Sequence, residues 1–244
     1  MCGTCGCDGA TQTMTQTVSV EARLLAKNDD LADHVRASLD ARGIVAVNLM
    51  SSPGAGKTSL LERTVGSLGV PVSVIEGDQE TSYDADRIRA AGALAVQVNT
   101  GSGCHLDAGM VHRALHELDP PDGSLLVVEN VGNLVCPALF DVGEHARVVI
   151  VSVTEGDDKP VKYPHMFAAA DLVVVNKTDL LPHVDLDLDR LVAQARELSA
   201  GVEVLPMSVR TGEGLDAWRA WLGALRTATS EGADHDRHGR PVGA

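Results

Sequence analysis

The sequence predicts an α/β fold in which a mostly parallel sheet is flanked by helices. Short apolar segments alternate with helical stretches along the 244 residues, a rhythm typical of parallel strands joined by crossover helices. Hydrophobic residues make up 44% of the chain and aromatic residues only 2%. The core is therefore expected to consist of Val, Leu, Ile and Ala, which suits strands buried on both faces. A glycine-rich loop directly after the first strand is a third indication of this class.

The elements follow in order along the chain. Residues 1–20 begin with a cysteine cluster and lack a periodic apolar pattern, so we expect a flexible arm. Apolar residues recur at helical spacing over Glu21–Ala41, which predicts a helix. A final helix is expected near Leu215–Leu225, and residues 230–244 are predicted to be a disordered tail. The main domain is therefore expected at 21–229. Seven apolar runs predict its strands: Ile44–Met50, Val72–Ile75, Leu94–Val98, Leu125–Glu129, Val148–Val153, Leu172–Asn176 and Val202–Met207.

Charge and cysteine content limit the classes of partner. The formal net charge of -14 disfavours nucleic acid and anionic membranes, because those surfaces recruit clusters of Lys and Arg. No apolar run approaches the roughly 20 residues needed to cross a bilayer. The first residues lack the pattern of a secretory signal, so we expect a cytoplasmic protein. Five cysteines, an odd number, favour metal binding or catalysis over a disulfide framework.

A phosphate-binding loop is predicted immediately after the first strand. The segment Ser51-Ser52-Pro53-Gly54-Ala55-Gly56-Lys57-Thr58-Ser59 matches the P-loop pattern except that Ser51 replaces the first glycine. Residues 52–59 are expected to surround the phosphates, which accept from the backbone N–H groups of the loop. Lys57 is expected to reach the terminal phosphates and Thr58 to bind Mg²⁺. A glycine-rich turn without function would not explain the order of strand, loop and helix. The sequence therefore predicts a P-loop NTPase.

A second motif favours guanine over adenine. Asn176-Lys177-Thr178-Asp179 follows an apolar strand and has the N-K-x-D pattern of GTPases. The Asp179 carboxylate can accept hydrogen bonds from the guanine N1–H and 2-amino group, and adenine offers no matching pair. The segment Ser208-Val209-Arg210 is expected to contact the base, although Arg210 stands where Lys is usual. An ordinary helix N-cap or turn is the alternative at Asn176, but beside a P-loop we expect a GTPase domain at 21–229.

Two acidic segments are expected to sense the nucleotide. Asp78, in the segment Glu76-Gly77-Asp78-Gln79-Glu80, can hold Mg²⁺ or orient the attacking water. Glu129 stands where many GTPases have the aspartate of D-x-x-G. A solvated helix start is the competing interpretation of the first segment. No glutamine occupies an obvious water-positioning place, so we expect slow intrinsic hydrolysis, with Lys57, Asp78 and Glu129 as the catalytic candidates.

The N-terminus is predicted to bind a metal ion. Cys2, Cys5 and Cys7 are separated by small residues, and three thiolates with the terminal amine suit square-planar Ni²⁺, although tetrahedral Zn²⁺ can use the same thiols. The chemistry leaves both metals open. A tail of oxidation-prone thiols without function is the alternative.

A second candidate metal site lies inside the domain. Cys104 and His105 follow a glycine-rich segment, and Cys136 lies just beyond Glu129. Adjacent residues point in different directions on a helix, so we expect two subunits to share this site in a dimer. Taken alone, these residues would be an ordinary buried cysteine and a capping histidine. The N-terminal cluster favours a metal site.

Together these residues resemble the hydrogenase nickel-incorporation GTPases, the HypB maturation factors, over nearly the whole chain. The resemblance implies a G domain of the SIMIBI type, tight nickel binding by Cys2, Cys5 and Cys7, and a nickel or zinc site at Cys104, His105 and Cys136. It further implies GTP and GDP as ligands, nucleotide-dependent dimerisation, the metallochaperone HypA as a partner, and nickel delivery to the [NiFe] hydrogenase large-subunit precursor. The histidine-rich stretch of some members is absent, which argues against nickel storage.

Three other functions compete with nickel delivery to hydrogenase. The first is a GTPase that serves urease or a cobalamin-dependent mutase, which the N-terminal cysteines disfavour. The second is a metal buffer whose self-association is controlled by GTP. The third is an ATP-driven partitioning or transport protein, which competition by GTP but not ATP would exclude.

Overall fold

A seven-stranded sheet forms the centre of the molecule. The computed structural model describes the backbone of residues 8–78, 83–101 and 103–238, and the side chains of residues 22–78, 83–101 and 103–231. Within these residues the strands are β1 (Val45–Ser51), β2 (Val72–Asp78), β3 (Leu94–Asn99), β4 (Leu125–Glu129), β5 (Ala146–Ser152), β6 (Leu172–Asn176) and β7 (Glu203–Pro206). Each corresponds to one predicted apolar run, with ends that differ by a few residues at most.

Helices connect these strands. They are α1 (Asp8–Ala41), α2 (Lys57–Val65), α3 (Tyr83–Ala90), α4 (Ala108–Leu118), α5 (Lys159–Lys162), α6 (Pro164–Ala168), α7 (Leu188–Leu198) and α8 (Leu215–His238), with 3₁₀ turns at Cys136–Leu139, Val153–Glu155 and Thr178–His183. Across the described backbone, every helix is too short or too polar to traverse a lipid bilayer.

The first and last helices are longer than the sequence pattern suggested. Helix α1 begins at Asp8 rather than near Glu21, and α8 continues to His238 rather than ending near Leu225. Neither extension contains proline, and each residue added to an existing helix gains a backbone hydrogen bond, so a helix can propagate beyond its apolar pattern. The division into arm, GTPase domain and tail stays a prediction.

The strand order is β3-β2-β4-β1-β5-β6-β7, and every neighbouring pair is parallel. The predicted fold class, a mostly parallel sheet flanked by helices, is therefore confirmed. Parallel strands end at the same edge, so the loops after β1, β2, β4 and β6 meet there. The phosphate loop follows β1, and Asp78, Glu129 and Asn176 are the last residues of β2, β4 and β6, so the topology brings these candidates together.

Alternating strand residues build two layers of core. In β1, Val45, Val47 and Leu49 pack with Leu60 of α2 and Trp218 of α8 on one face. On the other face, Ala46 packs with residues of α1 and α4, Val35 and Val111 among them. All seven residues of β1 are buried, which fixes the loop that follows it between two packed layers.

Candidate functional site

Two adjoining clefts lie at the carboxyl edge of the sheet. The first, of about 480 Å³, lies between the loop after β1 and the ends of β2 and β4, with Lys57, Asp78 and Glu129 in its lining. The second, of about 450 Å³, is bordered by Asn176, Lys177, Asp179, Val209 and Arg210. Gly56 and Ser59 line both clefts. The predicted phosphate and base residues therefore surround one continuous depression.

The loop before α2 requires glycine at Gly56. Its φ is +107°, and a Cβ there would lie 2.4 Å from the Asn176 Nδ2 atom, too close for any other residue. The Asn176 amide donates to the Ala55 carbonyl at 2.8 Å. Helix α2 has no side-chain cap at its N-terminus, which leaves its first N–H groups for a ligand. Such a helix start binds phosphate.

Ser51, which replaces the usual first glycine of the P-loop, contacts the loop lysine. The Lys57 ammonium donates to the Ser51 hydroxyl at 2.8 Å, and this hydroxyl donates to the Ser52 carbonyl at 2.7 Å. Burial lowers the pKa of Lys57, and the nearby Glu129 carboxylate opposes this effect. The substitution therefore preserves the loop and gives the lysine a neutral partner.

Carboxylates gather beside Thr58. The Thr58 hydroxyl donates to Glu129 Oε1 at 2.8 Å, and Asp78 lines the same cleft from the end of β2. Burial raises the pKa of Glu129 to about 7. It also raises the pKa of Glu76 to about 8, aided by the charges of Glu129 and Asp78. Within the described residues, Oε2 of Glu76 and of Glu129 are buried without a hydrogen-bond partner. Carboxylate oxygens of this kind are the ligands that hard divalent cations prefer.

The second cleft is organised by Asn176 and Asp179. Asn176 is buried, and its Oδ1 accepts from the backbone N–H groups of Lys177 at 2.7 Å and Val209 at 3.2 Å. The Lys177 ammonium donates to the Gly54 carbonyl at 2.8 Å, which ties this cleft to the phosphate loop.

Asp179 presents an ionised carboxylate in this cleft. Its Oδ1 accepts from the Ser208 hydroxyl at 2.6 Å and its Oδ2 lies 3.4 Å from Arg210. The pKa of Asp179 is lowered, first by the Ser208 hydrogen bond. The structure thus brings Asn176, Lys177, Asp179 and the Ser208–Arg210 segment into one group.

Glu155 is a site residue that the sequence analysis missed. Its carboxylate accepts from the Ser52 hydroxyl of the phosphate loop and lies 3.3 Å from the Lys159 ammonium. The residue belongs to a capping box with Ser152, at the end of β5. The Ser152-to-Glu155 spacing was the available signal. Glu76 was named only as a member of its segment, and its burial in the cleft depends on strand order.

A cluster of two thiols and one imidazole lies next to this depression. The ligand atoms of Cys104, His105 and Cys136 all lie within 4.8 Å of one another, and Cys104 Sγ is 3.6 Å from His105 Nδ1. The His105 ring stacks on Phe140 with centroids 4.0 Å apart. Burial lowers the pKa of His105, which favours the neutral ring that binds metals.

The three ligands of this cluster converge within one chain. Cys104 and His105 lie in a bend before α4, not on a helix, so their side chains can converge. Cys136 begins the 3₁₀ turn Cys136–Leu139. One chain therefore brings all three ligand atoms together, and the sharing of this site between two subunits stays a prediction. The pKa of the Cys104 thiol is raised, chiefly by its hydrogen bond with Cys136, as expected for two thiols sharing a small volume.

The segment after β4 connects the cluster to the phosphate loop. A third cavity, of about 390 Å³, has both Pro53 and Cys104 in its lining. A Cβ on Gly132 would lie 3.2 Å from Pro53, and the Asn133 amide donates to the Cys104 carbonyl at 3.3 Å. Asn130 Oδ1 accepts from the Leu106 N–H at 3.0 Å. Because these residues are closely packed, a displacement of the phosphate loop would also displace the segment beside Cys104, and the reverse holds as well.

The remaining predicted ligands, Cys2, Cys5 and Cys7, lie outside the described residues. The fold and the depression at its edge define the chain as a P-loop nucleotide-binding protein. Residues 45–206 match the family model described as the CobW/HypB/UreG nucleotide-binding domain.

Comparison with individual proteins shows to which family within this class the chain belongs. The chain is 55% identical over 216 residues to the hydrogenase maturation factor HypB of Azotobacter chroococcum mcd 1, covering 88% of this chain and 71% of the relative. The HypB crystal structure from Archaeoglobus fulgidus is 41% identical with a TM-score of 0.77, covering 82% of this chain and 99% of that one. HypB from Helicobacter pylori, solved in complex with nickel, is 35% identical with a TM-score of 0.79, covering 84% and 97%. The chain belongs to the HypB family.

Proposed function

We propose that this chain hydrolyses GTP and couples the cycle to nickel delivery into the [NiFe] hydrogenase large-subunit precursor. The main support is that the phosphate cleft and the cavity beside Cys104 share a wall. Pro53 of the phosphate loop lines both of them. The names of the relatives, which include a nickel-bound structure, support the choice of metal and client.

The nucleotide is assigned to the two adjoining clefts. The N–H groups at the start of α2 and the Lys57 ammonium would hold the phosphates. The Asp179 carboxylate would accept from the guanine N1–H and 2-amino group, with Asn176 and Lys177 bracing the loop. Ser208, Val209 and Arg210 would border the base.

Thr58 and Asp78 are the proposed ligands of Mg²⁺, which when bound would neutralise charge on the β- and γ-phosphates. Glu129 accepts from Thr58 and would orient it. Asp78 and Glu129 would change position depending on whether the γ-phosphate is present. Intrinsic hydrolysis would be slow. Glu129 would pass its displacement to Cys136 through residues 130–135.

Two sites would bind the metal ion that the protein delivers. Cys2, Cys5 and Cys7 would bind Ni²⁺ tightly, and Cys104, His105 and Cys136 would form a second, weaker site for Ni²⁺ or Zn²⁺. We further propose a nucleotide- or metal-dependent homodimer, the metallochaperone HypA as the partner, and a cytoplasmic setting. The net charge of -14 disfavours nucleic acid and anionic membranes as partners.

Base specificity is tested with Asp179→Asn. The amide places a donor against the guanine N1–H, so GTP affinity should fall at least about tenfold relative to ATP affinity. Competition of GTP and ATP against a fluorescent nucleotide measures this. Asp171→Asn, at the opposite end of β6, is the matched control. Equal loss in both variants, or displacement of the probe by ATP as readily as by GTP in the parent, would contradict the guanine assignment.

The metal sites are tested by calorimetric titration with Ni²⁺. Changing Cys2, Cys5 and Cys7 together to Ala should remove a tight site and leave a weaker one. Changing Cys104 and Cys136 to Ala should have the reverse effect. Weak binding by the parent chain would exclude the arm as the nickel ligand.

Coupling is tested on the variant without the N-terminal thiols. Nickel affinity at the internal site should differ between GDP and a non-hydrolysable GTP analogue, by about 5- to 150-fold if the coupling is typical. Nickel must then change nucleotide affinity by the same factor. Lys57→Ala removes the ammonium group that would bind the terminal phosphates, so it should reduce the difference in nickel affinity between the two nucleotides. Identical nickel affinities with both nucleotides would rule the coupling out.

A further inference from the structure

We propose that His34, His112 and His116 form an additional binding site for a divalent transition metal on the surface shared by α1 and α4. The ring centroids of His112 and His116 are 4.8 Å apart, and those of His34 and His112 are 5.9 Å apart. His112 and His116 occupy positions i and i+4 of α4, so they lie on one face of the helix. His34 reaches the group from α1.

The two helices hold the histidines in register. Asn28 Oδ1 of α1 accepts from the Ala108 N–H at the start of α4, at 3.0 Å. One turn further along, the Leu31 side chain lies 3.5 Å from the place of a Cβ on Gly109. Val35 and Val111 then join the same buried core cluster. The backbone under the three imidazoles is thus supported by packing, the condition for a preorganised ligand set.

The ring spacing fits a shared ion. A ligating imidazole nitrogen lies about 2.0–2.1 Å from a metal, which puts the centroids of two rings on one ion roughly 4.5–5.2 Å apart. The His112–His116 pair already meets this condition at 4.8 Å. The His34–His112 centroid spacing of 5.9 Å exceeds this range. The His34 side chain, like that of His116, is exposed, so a rotamer change can bring it closer. Side-chain rotation can therefore complete a three-nitrogen set.

The donor chemistry selects the ion. Imidazole suits Ni²⁺, Cu²⁺ and Zn²⁺, whereas Mg²⁺ and Ca²⁺ prefer oxygen. The net charge of -14 favours cation approach. Arg113, the neighbouring cation on α4, has its guanidinium beside Gly109, one turn before His112. The site uses nitrogen donors only, so it is distinct from both cysteine sets and would exist whether or not the proposed function is correct.

The test uses the full chain with all five cysteines changed to Ala, titrated with Ni²⁺ alone by calorimetry. One ion per chain should bind, and Mg²⁺ should not compete. His112→Gln and His116→Gln should each weaken binding at least about tenfold, the lower end of what loss of a supporting group costs a metal site. His34→Gln should weaken binding as well, and His165→Gln, an exposed histidine on α6, is the matched control.

A second readout separates binding from folding. Imidazole NMR signals of the three histidines should broaden or shift together with Ni²⁺, while that of His165 stays in place. Circular dichroism verifies that each variant is folded. If His112→Gln fails to fold, the more exposed His116→Gln still decides the question. Unchanged affinity in His116→Gln, or loss of binding when His235 and His238 are changed to Gln instead, would overturn the proposal.

Discussion

Replacing Glu76 with Gln should stabilise the nucleotide-free chain, and the gain should grow with pH. The Glu76 side chain is buried at the end of β2, and burial together with the charges of Glu129 and Asp78 raises its pKa from 4.5 to about 8. Because the folded state holds this proton more tightly than the unfolded chain, unfolding free energy is lost as pH rises from about 4.5 to 8. Glutamine keeps the shape and removes the charge.

The magnitude follows from the shift in pKa. Each unit is worth about 1.36 kcal/mol, so full ionisation of Glu76 costs the folded state roughly 4–5 kcal/mol. Between pH 5.5 and 8.5 the stability advantage of Glu76→Gln over the parent should increase by about 3 kcal/mol.

Urea unfolding at pH 5.5, 7.0 and 8.5, followed by tryptophan fluorescence in EDTA without nucleotide, measures this advantage. The matched control is Glu197→Gln on the exposed side of α7, which removes a carboxylate outside the cleft. An advantage that does not change with pH would refute the assignment of Glu76 as a buried carboxyl group that ionises at a cost.

Three further substitutions test the packing around the phosphate loop. Gly56→Ala should weaken nucleotide binding at least about tenfold and cost about 1–3 kcal/mol of stability, because its φ is +107° and the new Cβ would overlap Asn176. Gly66→Ala, with open space around it, is the control for nucleotide titration and should stay within about 1 kcal/mol of the parent. Asn176→Ala should cost about 2–4 kcal/mol in urea unfolding, since it removes the side-chain partner of three backbone groups, two of them in buried hydrogen bonds; a neutral effect would contradict the bridging role. Trp218→Phe should cost about 1–3 kcal/mol, because its indole N–H donates to buried Thr64 at 2.9 Å, and an unchanged thermal midpoint would exclude that bond as a contributor.

Local patterns were sufficient to predict the strands and the nucleotide motifs. Strands buried on both faces, such as β4 and β6, are continuous runs of Leu and Val bounded by polar residues, so their positions can be found without knowing their neighbours. The loop around Gly56 and the motif at Asn176 are equally local. The lengths of α1 and α8 could not be predicted this way, because helix propagation does not require an apolar pattern.

The sequence by itself therefore determined the fold class, the HypB family and the candidate nucleotide residues. Only the tertiary structure decided the strand order, and with it the burial of Glu76 beside Glu129. It also brought Cys136 to Cys104 and His105 within one chain, and His34 to His112 across two helices. The physical reason is that these contacts join residues far apart in sequence, and their geometry depends on how every intervening element packs, which no spacing along the chain encodes.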